Sequence, residues 1–470
     1  MSYQNKDFFF CGVGGSGMLP LALILRARGA IVAGSDRALD QGRSPEKFAF
    51  LRASGIDLFP QDGSGLTSGD QTLVASAAIE DTVPDVAAAL SKGARRVTRA
   101  ELLAELFNDA ENSIGVAGTS GKSTTTGMIG WILHAVHRKP TIMNGAVMKN
   151  FVSDDALFAS ALVGNGPDFV SEVDESDGSI ANFTPRIAVL NNIKLDHKTM
   201  DELRTLFGNF IAKSETAILN LDDEETARLA KLHNGASLTY GIEDQSGDFW
   251  ANDIRPQAFG ISFSICEKSG EKENIDLKMP GRHNVSNALA AIASAKACGL
   301  SLKEAAQAIC DYEGVKRRFE YVGEARDVTV IDDFGHNPDK IAATLRTLHD
   351  FPGRLLVMFQ PHGFGPLRKM RNEFIECFKT NLSENDIVLM PEPVYFGGTV
   401  DRSVSSSDIA AGLVAEGRNA KALATREECG NHLLSLAKPG DRIIIMGARD
   451  DTLSDFAAML VSELVANSTA

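Results

Sequence analysis

The chain has 470 residues, 44% of them hydrophobic, which at roughly 150 residues per domain leaves room for about three domains, each able to bury a core. Its 47 basic and 62 acidic side chains leave a formal charge of −15. That argues against non-specific nucleic-acid or anionic-membrane binding, which needs clustered positive charge, yet it permits a local basic pocket for a small anion. Six cysteines (Cys11, Cys266, Cys298, Cys310, Cys377 and Cys429) lack paired spacing and read as reduced thiols, not a disulfide frame or zinc site. The N-terminal "MSYQNKDFFFCGVGG" has no basic leader followed by a long apolar core, and no apolar run reaches about 18 residues. A soluble cytoplasmic protein is expected, with no nucleic-acid or membrane partner.

Short β-branched or aromatic runs alternate with Ala/Leu-rich runs along the whole chain. "DFFFCGVG", "AIVAGSD" and "QTLVASAAI" read as buried parallel strands, followed by helical patterns such as "MLPLALILRARG". The fold class is α/β. The first strand runs into Gly12-Val13-Gly14-Gly15-Ser16-Gly17, a G-x-G-x-x-G turn before a helix, and Asp36 closes the next strand. This is the arrangement of a dinucleotide-binding turn: glycines let the backbone approach a pyrophosphate, the helix N-terminus supplies N–H donors, and the acid meets a ribose. Read alone, it suggests NAD(P), or a tight turn with no ligand. A helix over "RAELLAELFNDAEN" ends near residues 108–112, where the first domain boundary is placed.

A second strand–loop–helix follows. Residues Ser113–Ala117 read as a strand, and Gly118-Thr119-Ser120-Gly121-Lys122-Ser123-Thr124 form the loop. The usual phosphate-loop formula asks for glycine at position 116, which is Val. The physics of a phosphate site survives: a nest of backbone N–H groups, a lysine for β/γ oxygens and a hydroxyl for Mg²⁺. The hydroxyl run is expected to cap a helix that continues through "MIGWILHAV". "DFVSEVDESDG" then gives a strand at Phe169–Ser171 with Glu172, Asp174, Glu175 and Asp177 at its end, where a metal carboxylate belongs. "IAVLNNIKLDH" reads as a further strand run ending at Asp196-His197, and "VSNALAAIASAKACG" as a helix stopped by Gly299. "GIEDQSGDFWANDIRPQAFG" reads as a polar, glycine-rich stretch inside this second domain, and a third domain should begin around Gly314–Phe319.

Taken in order, "RAELLAEL", the Gly-Thr-x-Gly-Lys-Ser-Thr-Thr-Thr loop, "EVDESDGS", "LDH", "HNVSNALAA", "RRFEYVGE", "IDDFGHNP", "FQPH" and "GDRIIIMGA" resemble the Mur ligases over nearly the whole chain. The nearest likeness is to the branch that adds L-alanine or a murein tripeptide to UDP-N-acetylmuramate. The resemblance implies three α/β domains: residues 1–110, Rossmann-like, for UDP-N-acetylmuramate; 111–313, a mostly parallel ATPase-like sheet for ATP; and 314–470, again Rossmann-like, for the amino acid. The first glycine loop then holds a UDP pyrophosphate.

The same resemblance implies site residues. Lys122 contacts the β/γ-phosphates within the loop Gly118–Thr124. Ser123 or Thr124 with Glu172 holds one Mg²⁺, and His197 a second. Asn284 and Asn287, spaced i,i+3 on one helix face, lie at the adenine end. Arg318 and Asp333 close over the phosphates and ribose, with His336 nearby. Lys122, Glu172, His197, Arg318 and Asp333 are the expected catalytic set. Gly12, Gly14, Gly15, Ser16, Gly17, Asp36, Ser76, His336, His362 and Arg368 are the expected substrate contacts. The implied reaction makes an acyl phosphate from a carboxylate and ATP, then an amide, ADP and phosphate, in a monomer or weak homodimer.

Three departures bear on the acceptor amine. "KTMDELRTLF" follows "LDH", so Lys198 and Thr199 replace the family's polar pattern. In "FQPHGFGPLRKM", Gly363 and Pro366 stand where the alanine-adding enzymes have arginines, and the nearest cations are Arg368 and Lys369. Phe334 stands where the family often has tyrosine. L-Alanine is the first choice of acceptor, with another amino acid or a pre-formed murein peptide as alternatives. Outside that class stand an NAD-linked oxidoreductase, which gives Lys122, Glu172 and His197 no work, and a weakly active nucleotide-binding regulator on the ligase fold.

Overall fold

The computed structural model describes residues 3–77, 79–195, 198–394, 401–448, 450 and 452–466. Among them the strands form three sheets, grouped in two compact units.

The first unit comprises residues Met1–Arg255, Ser262–Lys278 and Asn284–Val315 and holds two sheets. The first sheet has β1 (Asp7–Cys11), β2 (Ile31–Ser35), β3 (Asp57–Phe59), β4 (Thr72–Ala75) and β5 (Arg95–Thr98), in the order β3-β2-β1-β4-β5. All neighbours are parallel, with Phe8 level with Val32 on one side and Thr72 on the other. The order reverses at β1, so the loop after β1 opens at a switch point, where parallel sheets bind ligands.

The second sheet contains β6 (Asn112–Ala117), β7 (Thr141–Met143), β8 (Ala161–Leu162), β9 (Asp168–Glu172), β10 (Ile187–Leu190), β11 (Thr216–Asn220), β12 (Ala236–Gly241), β13 (Phe249–Gln257), β14 (Gly260–Glu267) and β15 (Lys272–Leu277). Its order is β15-β14-β13-β12-β11-β10-β6-β9-β7-β8. Every residue of β6 is buried, as a central parallel strand requires. The polar stretch at 241–260 is therefore largely strand: Phe249–Gln257 extends the sheet beyond β12. The core runs continuously across both sheets, for Phe107 on helix Arg99–Asn108 meets Phe169 of β9 at 5.9 Å and Phe183 at 5.4 Å between ring centroids.

The second unit comprises residues Pro256–Ile261, Met279–His283 and Lys316–Ala470. Its sheet has β16 (Glu320–Ala325), β17 (Val328–Asp333), β18 (Leu355–Gln360), β19 (Ile387–Pro391), β20 (Asn419–Leu423) and β21 (Arg442–Gly447), ordered β16-β17-β21-β18-β19-β20. Only β16 runs antiparallel to its neighbour. Cores lie on both faces.

The six cysteines are free, and among the described residues no helix is long and apolar enough to cross a membrane.

Candidate active site

The loop after β6 turns on two glycines with left-handed backbones, Gly118 at φ +130° and Gly121 at φ +81°. A Cβ on Gly121 would lie 2.6 Å from Asn287 Oδ1, so a side chain is excluded by space as well as by torsion. The loop is held from β10. That strand stops at Leu190, earlier than the apolar run suggests, because the next two side chains turn to the loop. Asn192 Oδ1 accepts from the Ser120 N–H (2.9 Å) and the Thr119 hydroxyl (2.8 Å), and Asn191 Nδ2 donates to Thr125 Oγ1 (3.0 Å). Thr125 in turn donates to Asn287 Oδ1 (3.2 Å), and Asn287 donates to Asn284 Oδ1 (3.2 Å), which joins helix Arg282–Ala297 to the loop.

The expectation that the Ser/Thr run caps the following helix fails. Helix Lys122–Ala135 begins directly after Gly121, whose missing side chain gives no cap, and the hydroxyls lie inside the first turns. Helices Arg99–Asn108 and Met200–Ala212, by contrast, start with full capping boxes. The uncapped start leaves first-turn N–H groups without side-chain acceptors at the positive end of a 14-residue helix, a setting suited to an anion.

Charged groups gather beside it. Lys122 Nζ donates to Gly118 O (2.7 Å) and to Oε2 of buried Glu175 (2.9 Å). Ser123 Oγ donates to Oε2 of Glu172 (2.7 Å), the last residue of β9, the neighbour of β6. Glu172 has room because position 145 is glycine: a Cβ there would lie 2.1 Å from Oε1. Asn144 Nδ2 donates to Ser123 O (2.8 Å). Thr124 is buried, and its carbonyl accepts from Tyr312. Asp174 is half-buried, which alone raises its carboxyl, but Lys122, Ser176 and Arg99 hold it below the ordinary carboxylate range.

A carboxylate with one hydroxyl suits Mg²⁺, which keeps waters and phosphate oxygens and takes one or two protein oxygens. Among the described residues no group of three or more His, Cys, Asp or Glu side chains is arranged to hold a metal by itself. His197 lies outside the described residues.

A cleft of about 200 Å3 joins this site to the first glycine loop; Ser16, Gly17, Arg99, Asn144, Glu172 and Asp174 are among its walls. The turn at Gly12 has φ +87°, and Gly14 N donates to Asp36 Oδ2 (2.9 Å) while Asp36 Oδ1 accepts from Ala38 N (2.8 Å). Asp36 therefore braces the loop and starts the next short helix. Gly15 N donates to Gly12 O, and Gly17 precedes helix Met18–Ala27 without a side-chain cap. Ser76 is exposed, one residue beyond β4. The sequence motifs do not single out Arg99. Its signal is a cation in the first helical turn, where the helix dipole favours acids; such a broken local rule often marks function.

In the second unit the Arg318 guanidinium sits over the Phe334 ring, 4.4 Å from its centroid. Asp333 Oδ1 accepts from Phe319 N (2.8 Å), and Oδ2 accepts from Gly335 N (2.8 Å) and Thr344 Oγ1 (3.0 Å). His336 Nδ1 lies 3.0 Å from Phe334 O. His362 and Arg368 follow β18. His362 is half-buried and bridges to Val394, while Arg368 is exposed on helix Phe364–Lys369 and pairs with Asp401. Gly363, at φ +80°, precedes that helix.

Three family patterns match in chain order: Mur ligase family, catalytic domain, over residues 7–111; Mur ligase middle domain over 116–295; and Mur ligase, glutamate ligase domain, over 317–449. The chain is 36% identical to a UDP-N-acetylmuramate–L-alanine ligase of Synechococcus sp. (strain JA-3-3Ab), covering 98% of this chain and 88% of the relative. Against the enzyme of that name from Agrobacterium fabrum it is 33% identical, covering 97% and 96%. Among solved structures, the UDP-N-acetylmuramate–alanine ligase of Thermotoga maritima superposes with a TM-score of 0.79 at 24% identity, covering 98% and 99%. A murein peptide ligase of Psychrobacter arcticus superposes at 0.71 with 25% identity over the same shares.

Proposed function

The chain belongs to the Mur ligase family of ATP-dependent amide ligases in peptidoglycan synthesis, and from there we propose that it joins the carboxylate of UDP-N-acetylmuramate to L-alanine. The observation that carries this reading is the head of helix Lys122–Ala135. A lysine, an uncapped helix start and a hydroxyl–carboxylate pair meet there, on the cleft that also reaches the first glycine loop.

ATP with Mg²⁺, when bound, supplies the γ-phosphoryl group that turns an unreactive carboxylate into an acyl phosphate open to an amine. The chain's part is binding, neutralising and orienting. Within the loop Gly118–Thr124, the N–H groups that Asn192 does not engage would meet phosphate oxygens, and Lys122 would exchange Glu175 for the β/γ oxygens. Ser123 and Glu172 hold the cation, with Thr124 the alternative hydroxyl and His197 the proposed ligand of a second. Asn284 and Asn287 meet the adenine end. Gly12, Gly14, Gly15, Ser16, Gly17 and Ser76 take the uridine diphosphate portion, and Asp36 keeps their loop in shape. Arg318, Asp333 and His336 are proposed for the nucleotide, and His336, His362 and Arg368 for the substrates, on the family pattern. Charge stabilisation by lysine, arginine and metal in a site shielded from water is worth several kcal/mol per group. A cytoplasmic place follows from the precursors that such a reaction uses.

A second acceptor, a pre-formed murein peptide, is favoured by one observation: Gly363 and Pro366 leave the loop after β18 without the arginines that clamp a small amino acid's carboxylate. Phosphate release with UDP-N-acetylmuramate, ATP and a panel of amino acids and peptides tests both. Release that requires L-alanine supports the first reading, and release only with peptides replaces it with the second. ATP turnover that ignores UDP-N-acetylmuramate overturns both.

A further inference from the structure

Arg317 and Phe319 both have left-handed backbones, at φ +61° and φ +52°. Glycine takes that conformation freely; residues with a Cβ are strained in it, and such strain persists only where the surroundings impose it. The restraints are specific. Arg317 is 7% exposed. Its Nε lies 3.3 Å from Asp332 Oδ2, its Nη1 donates to Asp450 O (2.9 Å) and its Nη2 to Gly447 O (2.8 Å). Asp332 Oδ2 also accepts from Ser454 Oγ (2.8 Å). On the other side, Phe319 N donates to Asp333 Oδ1 (2.8 Å). The backbone of Arg317 is tied twice more, N to Glu320 Oε2 (2.7 Å) and O to Phe334 N (2.7 Å).

Asp332 and Asp333 are consecutive residues of β17, so their side chains leave opposite faces of the strand. One grips the residue before Arg318 and the other the residue after it. We propose that Asp332 and Asp333 clasp residues 317–319 from the two faces of β17, that Arg317 is the positioning residue of Arg318, and that the clasp keeps Arg318 seated on Phe334. Its bearing on turnover rests on the reading above, in which Arg318 serves the nucleotide.

The test has one arm independent of activity. In wild-type protein with isotope-labelled arginine, stacking on Phe334 shifts the Arg318 Cδ protons upfield, and because the Arg317 guanidinium also lies 5.3 Å from that ring's centroid, the assignment is fixed by loss of the resonance in Arg318→Lys. Arg317→Met moves that resonance toward its free position. Arg317→Lys, which keeps the charge but reaches fewer carbonyls, moves it part of the way and serves if Arg317→Met fails to fold. In the second arm, Arg317→Met lowers phosphate release by about 10-fold or more, and in an Arg318→Ala background it costs less than about 2-fold further, because the two act as one unit. An unmoved resonance in both variants overturns the clasp, as do losses that multiply. Absence of any UDP-N-acetylmuramate-dependent turnover in the wild type counts against the functional reading and leaves the resonance to judge the clasp.

Discussion

Ser123 donates its hydroxyl to Glu172 across 2.7 Å, tying the first turn of a helix to the end of the neighbouring parallel strand. One residue earlier, Lys122 bonds Glu175. The two carboxylates are three residues apart and serve different partners: Glu172 faces the hydroxyl and Glu175 neutralises the lysine. That division makes their substitutions distinguishable.

On the proposed reading, in which Lys122 acts on the transferring phosphoryl group, Lys122→Ala lowers UDP-N-acetylmuramate-dependent phosphate release by roughly 10²-fold or more. Near-normal release in a folded variant would remove the lysine from the mechanism.

Glu172→Gln keeps the shape and the Ser123 contact but removes the negative charge. The Mg²⁺ concentration for half-maximal turnover rises by about 10-fold or more, in keeping with the loss of a ligand or of its immediate support. Glu175→Gln acts on Lys122 instead and changes the ATP dependence. A magnesium titration of the two variants separates them; identical magnesium curves would count against the division.

Gly121→Ala destabilises the first unit by about 1–3 kcal/mol, because alanine is strained at a positive φ and its methyl meets Asn287. Asn287 is buried and hydrogen-bonded, so it has little freedom to withdraw. Urea denaturation measures the cost, and an unchanged midpoint would mean that the loop relaxes.

Burial pushes the Asp332 carboxyl up to about 6, with Glu320 and Asp333 adding to the rise and Arg317 and Ser454 opposing it. The folded state then holds this proton more tightly than the unfolded chain, whose carboxyl has the ordinary value of about 4. The stability from this group is fully present below about pH 4 and is lost as the pH rises through about 6. Melting temperatures of wild type and Asp332→Asn across that window differ in slope, the wild type falling relative to the variant. Parallel curves would refute the assignment.

Much of the fold was legible in the chain. The strand before Gly118, the helix after Gly121, the helix from Arg99 and the glycine stop at Gly299 all follow from short-range patterning, and the structure has each of them. The hydroxyl run does not cap its helix, since the N-cap position is taken by the glycine before it. The strand that opens the run at 187–197 stops at Leu190, and nothing local says that Asn191 and Asn192 leave the sheet to hold a loop some 70 residues earlier.

The alternation of strands and helices, the two glycine turns and the order Gly-Lys-Ser are all written locally in the chain. These depend on torsional freedom, side-chain periodicity and neighbours within a few residues. Folding alone brings Glu172 to Ser123, Glu175 to Lys122, Arg99 to the cleft that Gly17 lines, and Asp332 and Asp333 to opposite sides of one segment. For Ser123 and Lys122 those partners are 49 and 53 residues away in the chain. Their meeting depends on the order of strands in the sheet, and buried parallel strands of similar composition do not reveal that order one by one.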